Sequence, residues 1–480
     1  MEPTPRAGDK PHATTSRDRP AGAGVSRLSS DCLATADMTT LLTPTAADRM
    51  SRLILLLVLA LLVTTPLRVH ALIGVLLLYA LAYLVAHPEA RRLTRQDGVI
   101  LALLALYALS HLPVFVLDGY AWRYLSPGLH MLVLFPVYLM TRHVLSRRQA
   151  SVAAYRAAME LGLCLGGAGA AVLAIYQTLI LGHYKADGFL FHINFGYLVA
   201  SLVLLGVALL PGARWPALVV AGVLGAFLAT LLSISRGALF PLPLVLGLVW
   251  LINLRRWGGR RALLALGVAL VLVTVSVLVV PLVQERLLYT WQEFSHIAAG
   301  NLAGSESSGG RLQLWIAAGE AFQARPLIGL TYAERELLNA QLVEAGRLTE
   351  WVNGVSRGHA HSQYFETLAT GGLIGMLALL GYLVLPAGYF ALAYLRHRDN
   401  ALALAGFVVS TGFVLFCLTE VALQHEMIGT YYAYLLLTLF LLYRRSRVEA
   451  TLAPAEAHAP PHASAHADPQ THTSTQEVPR

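Results

Sequence analysis

Charge is scarce in this sequence. Only 13% of its 480 residues are Asp, Glu, Lys or Arg, about half the share of a soluble domain. Cysteine is scarcer still, at three in the whole chain. Cys164 and Cys417 lie inside apolar runs and Cys32 in a polar leader, so the spacing offers neither a disulfide framework nor a metal-ligand set. These shortages exclude a soluble enzyme, a disordered scaffold and a secreted disulfide module. What the chain does have is apolar surface: 56% of its residues are hydrophobic and its mean hydropathy is +0.60. The class that remains is an all-α integral membrane protein with many spans. A net charge of +8 would otherwise suggest a nucleic-acid partner. Here the arginines sit between apolar runs, where they set orientation in a membrane, so the expected partner is membrane lipid and no nucleic acid.

Crossing a bilayer takes about 17–25 apolar residues. Roughly twelve runs approach that length: Leu53–Pro66, Val69–Ala86, Val99–Leu117, Leu129–Leu145, Met159–Leu181, Phe191–Leu210, Ala217–Leu232, Ala238–Ile252, Ala262–Pro281, Gly372–Leu395, Ala401–Thr419 and Ile428–Tyr443. The basic residues test this count. Arg91, Arg92 and Arg95 follow the second run; Arg142, Arg147, Arg148 and Arg156 the fourth; Arg214 the sixth. Arg255, Arg256, Arg260 and Arg261 follow the eighth, Arg396 and Arg398 the tenth, and Arg444, Arg445 and Arg447 the twelfth. The short loops of the opposite side hold only Arg68, Arg123, Lys185 and Arg236. Such strict alternation places both termini in the cytoplasm.

The expected organisation is a disordered leader over residues 1–50, spans one to nine over 51–281, an outer loop over 282–371, spans ten to twelve over 372–447, and a low-complexity tail over 448–480. No apolar region opens the leader, so it is not a signal peptide. Met50-Ser51-Arg52 ahead of an apolar run has the form of an ordinary membrane-protein start, which would make the leader an upstream extension. The alternative is a signal peptide beginning there and cut after Ala71. In the tail, His458, His462, His466 and His472 offer adventitious metal ligands, against the simpler reading of a solvated Ala/Pro/His-rich segment.

The outer loop of roughly ninety residues far exceeds ordinary loop length, and long structured loops usually carry function. Helical patterns are expected at Arg311–Ala324 and Tyr332–Glu344. Three groups at this face carry chemistry. The first is Ser233-Ile234-Ser235-Arg236-Gly237: an arginine at a membrane boundary between serines and a glycine is either a phosphate clamp or a snorkelling interfacial residue. The second is Ser307-Ser308-Gly309-Gly310-Arg311, where small residues lead into a helix. Free N–H groups there favour an anion and Arg311 adds fixed charge; the alternative is a linker with an exposed arginine. The third is Gly358-His359-Ala360-His361-Ser362 with Glu366, ahead of Gly371-Gly372-Leu373-Ile374-Gly375. A neutral imidazole there takes a proton from a hydroxyl near neutral pH, and Glu366 either orients it or simply starts a helix. The two histidines point apart in extended or helical backbone, so one is expected to act and the other to support it. A metal reading of His359-x-His361 lacks a third ligand at close spacing, so no metal and no cofactor are expected.

In order and topological side, these groups resemble the O-antigen ligase family of bacterial membrane glycosyltransferases, which takes in lipopolysaccharide O-antigen ligases, O-antigen polymerases and protein O-oligosaccharyltransferases. The matching residues are Ser235-Arg236-Gly237, Gly310-Arg311 with Trp315, Pro326-Leu327-Ile328-Gly329, His359-x-His361 and Gly372-x-x-Gly375. Ser362 departs from the pattern, which has asparagine after the second histidine. The resemblance implies about twelve transmembrane helices with one large periplasmic loop between helices nine and ten. It also implies transfer of a glycan, with inversion, from undecaprenyl diphosphate to a hydroxyl of lipid A–core on the periplasmic face of the inner membrane, without metal or ATP. His361 is then the general base and His359 its support, or the two exchange these roles; Arg236 and Arg311 hold the diphosphate. Lys185 and Arg123 are further candidates for phosphate or acceptor contact, as is Glu366. A growing glycan or a protein is the alternative acceptor. A reading of another class, a transporter or lipid flippase, would show repeated halves and ionisable groups near the midplane, whereas here they gather at the outer boundary.

Overall fold

A computed structural model describes residues 40–66, 69–147, 150–256, 281–300, 307–355 and 359–457. The leader to residue 39, the tail from residue 458, the ninth expected span apart from Pro281, and Gly358 of the histidine motif lie outside the described residues. All regular structure among the described residues is helical. The helices are α1 (Pro44–Leu61), α2 (Val69–Ala86), α3 (Arg95–Ser110), α4 (Leu112–Leu117), α5 (Ser126–Leu132), α6 (Phe135–Ser146), α7 (Val152–Ile175), α8 (His192–Leu209) and α9 (Pro216–Leu232). They continue with α10 (Arg236–Arg256), α11 (Pro281–Ala298), α12 (Ser308–Ala324), α13 (Tyr332–Glu344), α14 (Gln363–Arg396), α15 (Ala401–Phe416) and α16 (Glu426–Ala457).

Eight helical stretches among the described residues are long and apolar enough to cross a membrane. Two further apolar helices, α9 and α15, are shorter. The first expected span differs most. Its helix begins at Pro44, inside the expected leader, because the Thr43 side chain accepts the Ala46 N–H at 3.2 Å and Pro44 supplies a preset first turn. Asp48 and Arg52 then pair at 2.7 Å one turn apart, so α1 is more charged than a plain span. At the other end, α16 runs on past the expected boundary at residue 447 to Ala457. An Arg445–Glu449 pair at 3.0 Å supports that extension.

α8 and α16 are buried over most of their length and form the centre of the bundle, with α15 packed on α8 and α14. α7 and α9 approach until a Cβ at Gly167 would lie 2.0 Å from the Gly222 carbonyl oxygen, the small-residue contact expected of helices packed in lipid. The segment between α10 and α14 builds small cores of its own. Leu314 and Ala317 of α12 pack with Leu342, Leu348 and Val352, while Ala318 and Ala321 pack with Leu330, Ala360 and Ala369. α12 and α13, the two helices expected in this segment, therefore sit on the first turns of α14.

α14 is two helices merged across a break. Gly372 has φ 57° and ψ −150°, a combination open essentially to glycine alone. The Pro326–Leu330 turn fills the break: Leu373 N–H donates to the Pro326 carbonyl at 2.8 Å and Leu330 N–H to the Ala369 carbonyl at 2.8 Å. The break coincides with the expected boundary between outer loop and tenth span, so the turns carrying Gln363 to Gly371 are held at an angle fixed by backbone hydrogen bonds.

Candidate active site

Arg236 begins α10 directly after a turn in which Ile234 has φ 51°, a left-handed conformation that a β-branched residue rarely adopts. The guanidinium is largely buried and fully engaged. It donates to Glu293 Oε2 at 2.7 Å, Thr290 Oγ1 at 3.0 Å and Ser307 Oγ at 2.7 Å. This is a tethered arginine rather than a snorkelling one, and it binds α10 to both α11 and the start of α12. Glu293 in turn accepts the Ser307 and Ser308 N–H groups, each at 2.9 Å, and the Ser308 hydroxyl at 3.0 Å. The anion expected at this small-residue helix start is thus Glu293 itself. Burial raises its proton affinity, but the Ser308 amide and Arg236 outweigh that and hold the carboxyl at about 2.

Arg311 lies one turn further along α12. Among the described residues its guanidinium has no ion-pair or hydrogen-bond partner, and its charge reaches the Tyr197 hydroxyl. Tyr197 Oη shares a 2.9 Å hydrogen bond with Thr419 Oγ1. Gly237 packs against this bond: a Cβ there would lie 2.3 Å from Thr419 Oγ1 and 2.7 Å from Tyr197 Oη. The glycine after Arg236 is therefore required by close approach, and through Thr419 the first two motifs meet the residue next to Glu420.

Glu420 is where the third motif arrives. His361 Nδ1 lies 3.1 Å from Glu420 Oε2, and His359 Nε2 lies 3.8 Å from Glu420 Oε1. The rings stand at 84° with centroids 4.7 Å apart. The expectation that the two histidines point apart is corrected here. His361 adopts φ 46°, neither extended nor right-handed helical, and this left-handed step turns both rings to one side. The buried Ala360 between them is pinned from both faces: Trp315 Nε1 donates to its carbonyl at 2.9 Å, and its N–H donates to Glu366 Oε2 at 2.9 Å. Trp315 is itself stacked on Phe365 at 4.9 Å.

Glu366 lies in the first turn of α14, the second of its two expected places. Its carboxylate makes no hydrogen bond to either imidazole; it holds Ala360 and accepts from Arg335 at 2.9 Å, in a pair buried on both sides. Glu420 occupies the orienting position instead. Burial would raise its proton affinity, yet its hydrogen bond with His361 and the two nearby imidazoles hold it below the usual carboxylate range. As an ionised carboxylate it only accepts, so His361 Nδ1 carries the hydrogen, and in the neutral ring Nε2 is the nitrogen left to accept a proton. Burial pushes the His359 imidazole below its ordinary range, against the opposing pull of Glu366 and Glu420, and so keeps it neutral. Gln363 fixes the two segments together: its N–H donates to the Cys417 carbonyl at 2.8 Å and its side chain accepts from Leu423 N–H at 3.0 Å.

The structure thus brings Arg236, Arg311, His359 and His361 into one neighbourhood. Arg123 is engaged elsewhere, donating to Asp118 at 2.6 Å and lying over the Tyr332 ring at 4.9 Å. Lys185 lies 3.4 Å from His192 Nε2, beside the turn into Arg236, since Ala186 N–H donates to the Leu232 carbonyl. Glu420 and Glu293 were missed in the sequence. The signal for Glu420 was an acid directly after an apolar span on the outer side; Glu293 offered none beyond its place in the loop. His359, His361 and Glu420 together could hold a metal ion, since one ligand atom from each lies within 4.8 Å of the others.

No curated protein matches the chain. Residues 221–380 match the sequence model of the O-antigen ligase family, a range that takes in Arg236, Glu293, Arg311, both histidines and the break at Gly372 and stops short of Glu420. The chain is a multi-pass membrane protein, all-helical among the described residues, that carries an O-antigen ligase family domain over residues 221–380, and with it the likeness to a family of membrane glycosyltransferases.

Proposed function

We propose that the chain transfers a glycan en bloc from undecaprenyl diphosphate to a hydroxyl of lipid A–core on the periplasmic face of the bacterial inner membrane, with both termini in the cytoplasm. The acceptor oxygen attacks the anomeric carbon and its proton passes to His361 Nε2. The bond from that carbon to the diphosphate oxygen breaks, its electron pair leaves on the diphosphate, and the configuration inverts. Glu420 holds the imidazole in the required tautomer and offsets the charge that it gains. Arg311, with no anionic partner of its own among the described residues, meets the charge developing on the leaving diphosphate, and Arg236 with the Ser307 and Ser308 amides forms the second contact. Glu293 already fills that second position with a carboxylate, so the donor takes its place there by exchange of one anion for another.

The observation that carries this reading is the His361–Glu420 hydrogen bond of 3.1 Å in the same neighbourhood as Arg311. General-base assistance is worth about a hundred- to ten-thousand-fold in rate. Purified chain with lipid-linked donor and lipid A–core is expected to lose transfer by that factor in His361→Ala, with donor binding retained, and by less in His359→Ala. Near-normal turnover by a folded His361→Ala variant would remove the base assignment. Transfer to a growing glycan or to a protein, with lipid A–core inert, would keep the chemistry and replace the acceptor.

A further inference from the structure

We propose that His359, His361 and Glu420 bind one divalent transition-metal ion of the Zn²⁺ type, and that such an ion arrests transfer by taking the nitrogen that orients His361. Each residue offers one ligand atom, and these atoms lie within 4.8 Å of one another. Two ring nitrogens already face a single carboxylate, His361 Nδ1 at 3.1 Å and His359 Nε2 at 3.8 Å. Two imidazoles and one carboxylate with an open fourth position is a donor set that Zn²⁺ takes at about 2.0–2.2 Å, which sets donors roughly 3.4 Å apart. The widest pair therefore closes by up to about 1.4 Å, within the reach of side-chain torsions. The backbone needs no such adjustment. The left-handed step at His361 has already turned both rings to one side, and Trp315 and Glu366 clamp Ala360 between them, the kind of outer support that fixes ligand geometry. Each imidazole is about one-third exposed, so an ion can enter from solvent. Mg²⁺ and Ca²⁺ favour six or more oxygens and would find one carboxylate. The third ligand is 59 positions from His361 in the chain, which is why spacing alone concealed it.

The arrest rests on the proton-acceptor reading of His361 given above; the binding does not. A neutral imidazole ligated through Nδ1 carries its one hydrogen on Nε2. No net proton is gained or lost, but the nitrogen meant to accept the acceptor's proton is already protonated.

The test uses the full chain in detergent with His458, His462, His466 and His472 changed to alanine, so that the tail does not compete for metal. Calorimetric titration with ZnCl₂ is expected to give one ion per chain, with affinity falling at least about tenfold in His359→Ala and in Glu420→Gln, and no heat from MgCl₂. Cobalt(II) is expected to give the visible absorption of a four-coordinate site, lost in the same variants. Size-exclusion profiles identify any variant that fails to fold, and His359→Ala, which leaves the His361–Glu420 bond in place, serves if Glu420→Gln does. Absent binding, or binding of unchanged affinity in both variants, would overturn the site. Transfer is expected to fall with the same zinc midpoint and to return with chelator. Binding with undiminished transfer would support the site and overturn the base assignment on which the arrest depends.

Discussion

At the scale of single residues, the decisive contrast is between the two arginines. Arg236 is spent on Glu293, Thr290 and Ser307, whereas the Arg311 guanidinium has no hydrogen-bond or ion-pair partner among the described residues. Glu293→Gln tests the exchange of anions. Glutamine keeps an oxygen to accept the Ser307 and Ser308 amides but carries no charge to compete with a diphosphate. The KM for donor is expected to fall, and thermal stability to fall with it by about 1.5–3 kcal/mol, the usual worth of a charge-assisted hydrogen bond. An unchanged donor KM would show that the diphosphate sits elsewhere. The pH behaviour has a definite sign. Glu293 is depressed from 4.5 to about 2, so its contribution to stability is complete above the unfolded value and is lost as pH falls through about 2. Between pH 5 and 8 this pair contributes no pH dependence, and Glu293→Gln is expected to leave the shape of the transfer profile over that range unchanged. These site arginines and both histidines were legible in the sequence because each stood beside small or apolar residues where a charge is conspicuous. Their carboxylate partners were not, because Glu293 and Glu420 meet them only through the tertiary fold.

At the scale of elements, patterned helices were legible almost to the residue: α2 spans Val69–Ala86 and α13 Tyr332–Glu344, as the apolar run and the charge pattern indicated. Ends governed by local capping were harder, because hydropathy reports burial in lipid and says nothing of a cap. α1 is the clear case. Ala47 is fully buried in the core and Asp48 nearly so, although both precede the apolar run. A chain starting at Met50 loses the Thr43 cap, worth about 1 kcal/mol, together with these buried contacts. It is expected to melt at lower temperature than a chain starting at Leu42; equal melting curves would show that α1 needs none of its first turn. The break in α14 is a second element whose geometry follows from one residue. A Cβ at Gly372 would lie 2.4 Å from the Leu327 carbonyl carbon, on top of backbone strain of about 1–3 kcal/mol. Gly372→Ala is therefore expected to lower the detergent-solubilised melting temperature and to abolish transfer. Gly388→Ala, which meets nothing within 4 Å, is expected to do neither. A Gly372→Ala protein as stable as the parent would mean that the turn at Pro326–Leu330 can move aside.

At the scale of the whole molecule, polar groups gather at two ends of the helices. At one end Arg142 bonds Asp97 and the Ala90 and Arg92 carbonyls, and Arg445 reaches the Ala150 carbonyl. There too Asn400 donates to Ser446, and Arg256 pairs with Asp399. These contacts join the loop after α2 to α6, the end of α10 to the loop after α14, and the loops after α6 and α14 to the last helix, the same loops in which arginine is concentrated in the sequence. At the other end stand Arg236, Arg311, the histidine pair and the 118–124 loop, which Tyr124 ties to Tyr332 through a 2.8 Å hydrogen bond. Arginine-rich short loops remain on the cytoplasmic side, so the first end is expected inside and the site outside. Single cysteines placed at Arg92, Arg256, Arg445 and Gly346, in a chain freed of Cys32, Cys164 and Cys417, test this with a membrane-impermeant thiol reagent on intact spheroplasts. Gly346→Cys, at the exposed end of α13, is expected to react before lysis and the other three only after it. The result bears on the chemistry as well as on orientation. A lipid-diphosphate donor and a lipid A–core acceptor meet on the outer face alone, so protection of Gly346→Cys until lysis would deny the histidine pair both substrates and overturn the proposed reaction outright.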